Sequence, residues 1–200
     1  SNNTLRDMDI MRAALGDEKL NYMGYSYGSE LGAMYAKEFP DRVRAIAIDG
    51  AVAPDVSEAQ FRERQFTAFQ SAFDSMAELC ASQSDCPLGQ DLSRSTRRFQ
   101  YLVQPLLTNP VATADGRTLG WEDAVQAVAL TLFASQQWSS IIDAISALTR
   151  GDGSALLAMR DATMGRGPDG MYGGSVSIDG NLAIRCADNP RTQQEQQELL

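Results

Sequence analysis

A serine flanked by glycines lies near the start of this 200-residue chain, in the stretch GYSYG at residues 24–28. The G-x-S-x-G pattern is typical of a sharp turn between a strand and a helix that exposes a nucleophilic serine, here Ser26. Glycines at the flanking positions, Gly24 and Gly28, remove side chains that would collide where the chain reverses direction. The start of the following helix would then bring the backbone N–H of Tyr27 close to a developing oxyanion. The pattern predicts acyl transfer to a serine hydroxyl.

The surrounding residues decide the meaning of this pattern, because the bare pattern arises by chance in roughly one such chain in ten. Apolar residues at 20–24 predict a buried strand directly before Ser26. Helical spacing of apolar residues at 29–39, closed by Pro40, predicts a helix directly after it, and 43–48 reads as a second buried strand. This order is a βαβ unit, so we expect parallel strands covered on both faces. The context favours a nucleophile elbow over a fortuitous Gly-Ser turn.

The chain contains no histidine, which is the residue that most often activates a serine hydroxyl. Its only lysines are Lys19 and Lys37. Lys19 opens the strand that leads to Ser26, about 20 Å away at 3.3 Å per residue. Lys37 lies near the end of the following helix, about 15 Å along its axis. We therefore expect the chain alone not to turn over substrate, and we expect the acid and histidine to lie outside it.

Helix-capping patterns mark two further helix starts. Thr4 with Asp7 predicts a first helix that Gly16 ends. Thr192 with Glu195 predicts another helix that begins shortly before the last residue of the sequence. A helix cut short in this way predicts that the sequence is a fragment.

The three cysteines give a second clue. Cys80 and Cys86 bracket a short polar loop. The chain has no histidine and no second close cysteine pair, so a zinc site would lack ligands and we expect no metal. No cofactor is indicated either. A local disulfide, which would indicate an oxidising compartment, is favoured over two unpaired buried thiols. Cys186 is left over, and an odd cysteine predicts a partner outside the chain.

Charge and hydropathy limit the possible partners. The net charge is −9 and the isoelectric point about 4.5, so nucleic acid and anionic membrane surfaces are poor partners. No stretch reaches the roughly 18 consecutive apolar residues of a membrane-spanning helix. The first ten residues also lack the basic-then-apolar order of a signal peptide.

After Asp49 the sequence changes to helical periodicity and predicts no strand up to about residue 165. Ser57 with Gln60 predicts the start of a long helix. Pro105 predicts a kink or an early end in one of the later helices. The predicted later helices cover residues 92–107, 121–133, 138–149 and 154–164. A glycine-rich connector at 165–180 is followed by a short strand or extended return at 181–188.

Three segments carry a resemblance to a known family: residues 20–52, the loop ELCASQSDCPLG, and LAIRCAD at 182–188. They resemble the secreted tripeptidyl-aminopeptidase branch of the α/β-hydrolases, which are actinobacterial serine exopeptidases related to prolyl aminopeptidases. The resemblance extends over nearly all of the chain, although only the elbow is strongly specific. It implies an α/β fold class: a partial α/β-hydrolase core with a parallel βαβ unit at 1–54, a mostly helical cap at 55–180, and a return segment at 181–200.

The resemblance also implies residue roles. Ser26 matches the nucleophile and Tyr27 the oxyanion donor, whereas Cys80 and Cys86 match a cap disulfide. Cys186 would pair with a cysteine in the remaining part of the same polypeptide, which would also supply the catalytic Asp and His. The implied enzyme is secreted or associated with the cell envelope. It releases short peptides, tripeptides in particular, from the free N-termini of peptide substrates through an acyl-enzyme.

A carboxylate would be expected to recognise the cationic free amino group of such a substrate. Asp188 is the candidate, although a surface or capping role is favoured for it, and Asp49 is better explained as a turn residue before glycine. Aromatic residues of the helical part could line a pocket for apolar side chains, but their helical spacing favours cap core. These residues are Phe61, Phe69, Trp121 and Trp138.

Two alternatives remain open from the sequence. A hydrolase-derived module with an inert elbow could bind peptides without cleaving them. An esterase or lipase of the same fold would share the elbow, because acyl-transfer chemistry is common to these enzymes and specificity depends on pocket shape.

Overall fold

The chain begins with two helix–strand pairs. The computed structural model describes residues 2–54 and 56–172, together with residues 180, 183, 184 and 187. The strand–helix–strand order predicted around the elbow is confirmed. The first four elements are α1 (Asn2–Ala14), β1 (Leu20–Tyr25), α2 (Tyr27–Glu38) and β2 (Val43–Asp49).

The two strands are parallel neighbours, as predicted. Their register runs from Leu20 opposite Val43 to Tyr25 opposite Asp49. Helix α2 packs closely on one face of the pair of strands. The approach is so close that a Cβ at Gly32 would lie only 2.9 Å from the ring of Tyr22. The close packing fixes the direction in which α2 leaves the end of β1.

The opposite face of the pair does not meet the expectation of cover on both sides. Side chains alternate between the two faces of a strand, and in β1 the residues pointing away from α2 include Met23 and Tyr25. In the described part of the chain these two remain 64% and 62% exposed. The expectation fails here because the helices of the first sixty residues pack on one face only.

The contact between α1 and α2 combines an apolar core with a buried charge. Leu5 and Met8 of α1 pack with Tyr35 of α2. The carboxylate of Asp9 accepts hydrogen bonds from the Tyr35 hydroxyl and from Arg12, both at 3.0 Å. Burial raises the pKa of Asp9, but these hydrogen bonds outweigh it and hold the pKa below its usual value.

The predicted start of the first helix is wrong, whereas its end is confirmed. Helix α1 begins at Asn2, so Thr4 lies inside its first turn. Helix starts shift by one or two residues at little cost, because the terminal backbone groups can bond water instead. The helix ends at Ala14, and Gly16 follows with a φ of 79°.

The described residues form two compact units that divide between Phe61 and Arg62. The core of the second unit contains fully buried side chains from three helices, including Met76, Ile141 and Leu156. The assignment of residues 1–54 as hydrolase core and 55–180 as cap stays a prediction. The helices after β2 are α3 (Glu58–Ala81), α4 (Ser95–Val103), α5 (Trp121–Thr131), α6 (Trp138–Thr149) and α7 (Ser154–Thr163).

Two helix boundaries behave as predicted. The N–H of Ser57 donates to Oε1 of Gln60 and the N–H of Gln60 donates to Oγ of Ser57, both at 3.2 Å, at the start of α3. Helix α4 ends at Val103, and a short 3-10 turn containing Pro105 follows it. Proline ends the α-helix early because it lacks the N–H that would continue the ladder.

The prediction of no strand between 57 and 165 is wrong at one place. A two-stranded antiparallel hairpin joins β3 (Val111–Ala112) and β4 (Thr118–Leu119). Its turn contains Asp115 and Gly116, and Gly116 has a φ of 81°. Strands of two residues are too short for an alternating pattern to reveal, and the Asp-Gly pair was the available signal.

Asp161 of α7 links the hairpin to the segment that follows α7. Its carboxylate lies 2.6 Å from Nη2 of Arg117 and accepts a hydrogen bond from the Tyr172 hydroxyl at 3.1 Å. The guanidinium of Arg160 stacks on the Tyr172 ring at 4.9 Å. Burial raises the pKa of Asp161, but the bonds from Arg117 and Tyr172 outweigh it and lower the pKa below its usual value.

The loop after α3 brings two cysteines together. Cys80 is fully buried at the end of α3. The Sγ atoms of Cys80 and Cys86 lie at disulfide-bonding distance, and their Cα atoms are 5.1 Å apart. This distance is within the usual range for a disulfide.

Several predictions concern the last part of the chain. Cys186, Asp188 and the helix start at Thr192 lie outside the described residues. Of the predicted strand or extended return at 181–188, Ala183, Ile184 and Ala187 are described, and they are helical rather than extended. Among the described helices, none combines the length and the apolar character needed to cross a membrane.

Candidate active site

Ser26 is the single residue that connects β1 to α2. Its backbone has φ 50° and ψ −120°, and among the described residues it is the only non-glycine residue with positive φ. An L-residue is strained in this region, because its Cβ crowds the backbone. Its side chain is exposed. This is the strained, exposed geometry predicted for a nucleophile elbow.

Hydrogen bonds on both sides of Ser26 keep it in this conformation. Its N–H donates to the carbonyl oxygen of Asp49, at the end of β2, at 3.0 Å. Its carbonyl oxygen accepts two hydrogen bonds from Ser29, from the N–H at 2.8 Å and from the hydroxyl at 2.5 Å. The strain is therefore balanced by contacts to both neighbouring elements.

The glycine at 24 is required by a close backbone approach. A Cβ at Gly24 would lie 2.3 Å from the carbonyl oxygen of Gly28, which is far inside contact distance. The same carbonyl accepts a hydrogen bond from the Tyr22 hydroxyl at 2.8 Å, and a Cβ at Gly28 would lie 3.2 Å from that hydroxyl. The two glycines thus allow the first turn of α2 to rest on the end of β1.

The helix start after Ser26 has the form needed for anion stabilisation. Tyr27 is the first residue of α2, the position at which an elbow provides an oxyanion-hole N–H. The positive end of the helix dipole lies at the same point. The assignment of Tyr27 as oxyanion donor stays a prediction, as does the role of Ser26 itself.

The described residues do not complete a catalytic triad. The chain has no histidine, and Lys19 and Lys37 lie at the far ends of β1 and α2 from Ser26. Asp49 lies next to the elbow, where its carbonyl oxygen accepts the Ser26 N–H. The backbone of Asp49 therefore supports the elbow, and Gly50 turns the chain directly after it with a φ of 61°.

Comparison with protein families agrees with this geometry. Residues 2–160 match the family described as alpha/beta hydrolase fold. The chain belongs to the α/β-hydrolase family.

This chain has curated relatives in actinobacteria. It is 40% identical over 195 residues to serine protease Hip1 of Mycobacterium tuberculosis, covering 94% of this chain and 37% of that protein. It is 41% identical over 186 residues to carboxylesterase B of the same organism, covering 92% and 35%. It is 29% identical over 194 residues to tripeptidyl aminopeptidase of Streptomyces lividans, covering 93% and 34%. The chain thus spans just over a third of the length of these relatives.

The aromatic residues singled out from the sequence have different surroundings in this chain. Trp138 packs against the helical core and its Nε1–H donates to the carbonyl oxygen of Leu132 at 3.2 Å, as the core interpretation predicts. Phe69 is half-buried and Trp121 is 39% exposed, and both lie outside the core cluster, so the core interpretation is wrong for them. They line an open groove of about 580 Å³ among α3, α4 and α5. Phe61 is half-buried at the start of α3.

Sequence reasoning missed Ser29, Tyr22 and Gly32. Ser29 supports the Ser26 carbonyl, Tyr22 bonds the first turn of α2, and Gly32 permits close packing. Gly32 repeats a small residue four positions after Gly28, which is a usable signal for close helix packing. The candidate substrate-binding residue Asp188 lies outside the described residues. In the described part of the chain no group of three or more acidic, cysteine or histidine side chains is arranged to hold a metal ion.

Proposed function

We propose that this chain provides the nucleophile of a serine exopeptidase that releases short peptides, tripeptides in particular, from free N-termini. The observation that carries the proposal is the strained, exposed backbone of Ser26 between β1 and α2. A relative at 40% identity is named a serine protease and another at 29% a tripeptidyl aminopeptidase. These names support peptide bonds as the substrate class.

In the proposed reaction, Oγ of Ser26 attacks the carbonyl carbon of the scissile peptide bond. A base takes the hydroxyl proton, and the N–H of Tyr27 donates to the oxyanion. The C–N bond then breaks, the base gives its proton to the leaving amine, and the acyl group remains on Ser26. Water cleaves the acyl-enzyme by the reverse proton transfers.

We propose that the acid and base of this reaction belong to polypeptide outside the 200 residues. The absence of histidine from the sequence and the chain's coverage of 37% of its Hip1 relative support this. Cys186 would pair with a cysteine in that same additional polypeptide. The 200-residue chain by itself is then inactive.

Recognition of the free amino group distinguishes an aminopeptidase from its alternatives. Asp188 is our candidate for this contact, because a carboxylate beside the substrate N-terminus would favour its cationic form. Asp188→Asn should raise KM for peptides with free N-termini and leave hydrolysis of a blocked peptide unchanged. An unchanged KM for free peptides would assign the role to another residue.

An esterase of the same fold is the second candidate, since a relative at 41% identity is named carboxylesterase B. The full-length protein should be given matched peptides with free and acetylated N-termini, together with an aryl ester. Preference for free peptides supports the exopeptidase, whereas turnover of the ester alone supports the esterase.

A fluorophosphonate probe tests the nucleophile separately from the substrate. Attack of Ser26 on the probe forms an O–P bond and expels fluoride. The full-length protein should be labelled, and Ser26→Ala should abolish the labelling. Absence of labelling in the wild-type protein would favour a non-catalytic peptide-binding module. The 200-residue chain alone should not be labelled.

We further propose that the protein works in an oxidising, extracytoplasmic compartment. The geometry of Cys80 and Cys86 supports a disulfide between them, and structural disulfides persist in such compartments. Because Cys80 is buried, alkylation should be carried out on the denatured protein without reductant, and it should leave both cysteines unmodified. Their modification without reductant would contradict the proposal.

A further inference from the structure

Ser29 is a buried serine beside the proposed nucleophile. It lies in the first turn of α2, three residues after Ser26, and is 0% exposed. Its hydroxyl donates to the carbonyl oxygen of Ser26 at 2.5 Å and accepts a hydrogen bond from the N–H of Val52 at 2.8 Å. Because Ser29 is fully buried, its own hydroxyl cannot contact a substrate. Its effect on the reaction must pass through Ser26.

The carbonyl of Ser26 and the N–H of Tyr27 belong to the same peptide unit. A trans peptide is planar, so its carbonyl oxygen and its N–H point in opposite directions. The two hydrogen bonds from Ser29 therefore fix the direction of the Tyr27 N–H as well as the ψ angle of Ser26. This peptide joins the proposed attacking residue to the proposed oxyanion donor.

Val52 completes the arrangement from the loop after β2. A serine hydroxyl rotates freely and can donate in several directions. The N–H of Val52 occupies an acceptor position on the Ser29 oxygen, which favours the rotamer that donates to Ser26. The loop after β2 thus contacts the elbow through one buried hydroxyl.

We propose that Ser29 is a positioning residue for the reaction, which aims the Tyr27 N–H at the oxyanion by holding the carbonyl of Ser26. The proposal rests on the proposed function of Ser26. It assigns to Ser29 a role in transition-state stabilisation rather than in substrate binding. The N–H of Ser29 still bonds Ser26 when the hydroxyl is removed, so the peptide loses one of its two restraints.

Ser29→Ala in the full-length protein should therefore lower kcat by about tenfold or more while KM changes less than about twofold. Complete loss of an oxyanion donor costs about a hundredfold or more in kcat, and a misdirected donor should cost part of that. The maximal rate of labelling by a saturating fluorophosphonate should fall in parallel.

Ser95 offers a matched control. It is 2% exposed at the start of α4, and its hydroxyl donates to the carbonyl oxygen of Leu92, three residues earlier, at 2.9 Å. Ser95→Ala removes the same kind of hydrogen bond away from the elbow. It should lower the melting temperature, though less than Ser29→Ala, which also loses the hydrogen bond from the Val52 N–H, while kcat stays within about twofold of the wild-type value.

Two further variants keep the test decisive if Ser29→Ala folds poorly. Ser29→Cys keeps the shape of the side chain, with a somewhat larger atom and a weaker donor, and should give a kcat between those of serine and alanine. Ser29→Thr retains the hydroxyl and should recover most of the wild-type kcat. A wild-type kcat in Ser29→Ala or Ser29→Cys, with only a lowered melting temperature, would show that Ser29 is merely structural.

Labelling of the wild-type protein and of Ser26→Ala separates this proposal from the one on which it rests. If the wild-type protein is labelled and Ser26→Ala is not, a normal rate in Ser29→Ala overturns only the role of Ser29. If the wild-type protein is not labelled, the proposed function fails, and the positioning role fails with it.

Discussion

Two substitutions at Ser26 separate the strain of the elbow from the chemistry of its hydroxyl. Ser26→Ala removes the hydroxyl and keeps the Cβ. Ser26→Gly removes both, and glycine adopts positive φ without a steric penalty. If Ser26 is strained at φ 50° and ψ −120°, the two variants will have different stabilities although neither carries a nucleophile.

The size of the difference follows from two opposing terms. A non-glycine residue in a sparsely populated backbone region costs on the order of 1–3 kcal/mol. Glycine loses more backbone entropy on folding, which subtracts roughly 0.5–1 kcal/mol. The free energy of unfolding of Ser26→Gly should therefore exceed that of Ser26→Ala by about 1 kcal/mol. Because full-length relatives are nearly three times as long as this chain, an unfolding entropy of about 2.1 cal/mol/K per residue makes this about 1 °C in Tm.

Thermal unfolding of the full-length wild-type protein and both variants, under one set of conditions, measures the difference. Ser26→Ala should melt close to the wild-type protein because the lost hydroxyl is exposed. Labelling by the fluorophosphonate should be absent from both variants. A Tm of Ser26→Gly at or below that of Ser26→Ala would refute the interpretation that the backbone of Ser26 stores strain.

Three other perturbations test the structure elsewhere. Gly24→Ala should cost about 1–3 kcal/mol and most of the activity, because its Cβ would lie 2.3 Å from a carbonyl oxygen of α2. Asp161→Asn should cost about 2 kcal/mol at neutral pH by weakening the bond to Arg117. Because the folded pKa of Asp161 is lowered, this cost is present above pH 4 and disappears as the pH falls below about 4. Reduction of Cys80 and Cys86 should cost about 2 kcal/mol in denaturant unfolding.

The two substitutions have controls within the same protein. Gly120→Ala places a Cβ at an ordinary 3.5 Å from the side chain of Asp123, so it should change stability and activity little. A comparable loss in both glycine variants would contradict the close-approach argument. Asp143 is exposed on α6, and Asp143→Asn should be neutral at every pH. A difference between wild type and Asp161→Asn that does not shrink as the pH falls below about 4 would refute the prediction for Asp161. Reductant without effect on unfolding would refute the prediction for the disulfide.

The elbow could be predicted from the sequence because its causes are local. Gly24, Ser26 and Gly28 are needed within five residues, and the apolar strand and amphipathic helix on either side have clear periodicity. Helix α6 was likewise predicted with its observed bounds. In these places local propensity and tertiary packing favour the same conformation.

The role of Ser29 could not be predicted, because its partner Val52 lies 23 residues further along the chain. A serine in the first turn of a helix is common as a local backbone contact. Only the three-dimensional approach of the loop after β2 makes its hydroxyl a link between two elements. The open groove lined by Phe69 and Trp121 was the less favoured alternative for a similar reason, since helical spacing predicts which face is apolar but not whether that face is buried.

The hairpin of β3 and β4 was missed because its strands contain two residues each. Helical periodicity on both sides concealed the Asp115–Gly116 turn. Its stability comes from outside the turn as well, since Arg117 reaches Asp161 on α7. Short elements of this kind depend on distant contacts, which a window along the sequence does not contain.

The peptide shared by Ser26 and Tyr27 has a consequence for enzyme engineering. Under the proposed roles of Ser26 and Tyr27, a substitution that rotates this peptide to improve the direction of the N–H will also move the hydroxyl proposed to attack the substrate. The two properties cannot be optimised one after the other by changes at the elbow. Variants with altered activity should therefore be sought at Ser29 and in the loop after β2. Changes there can shift the Ser26 hydroxyl and the Tyr27 N–H together, as one rigid unit.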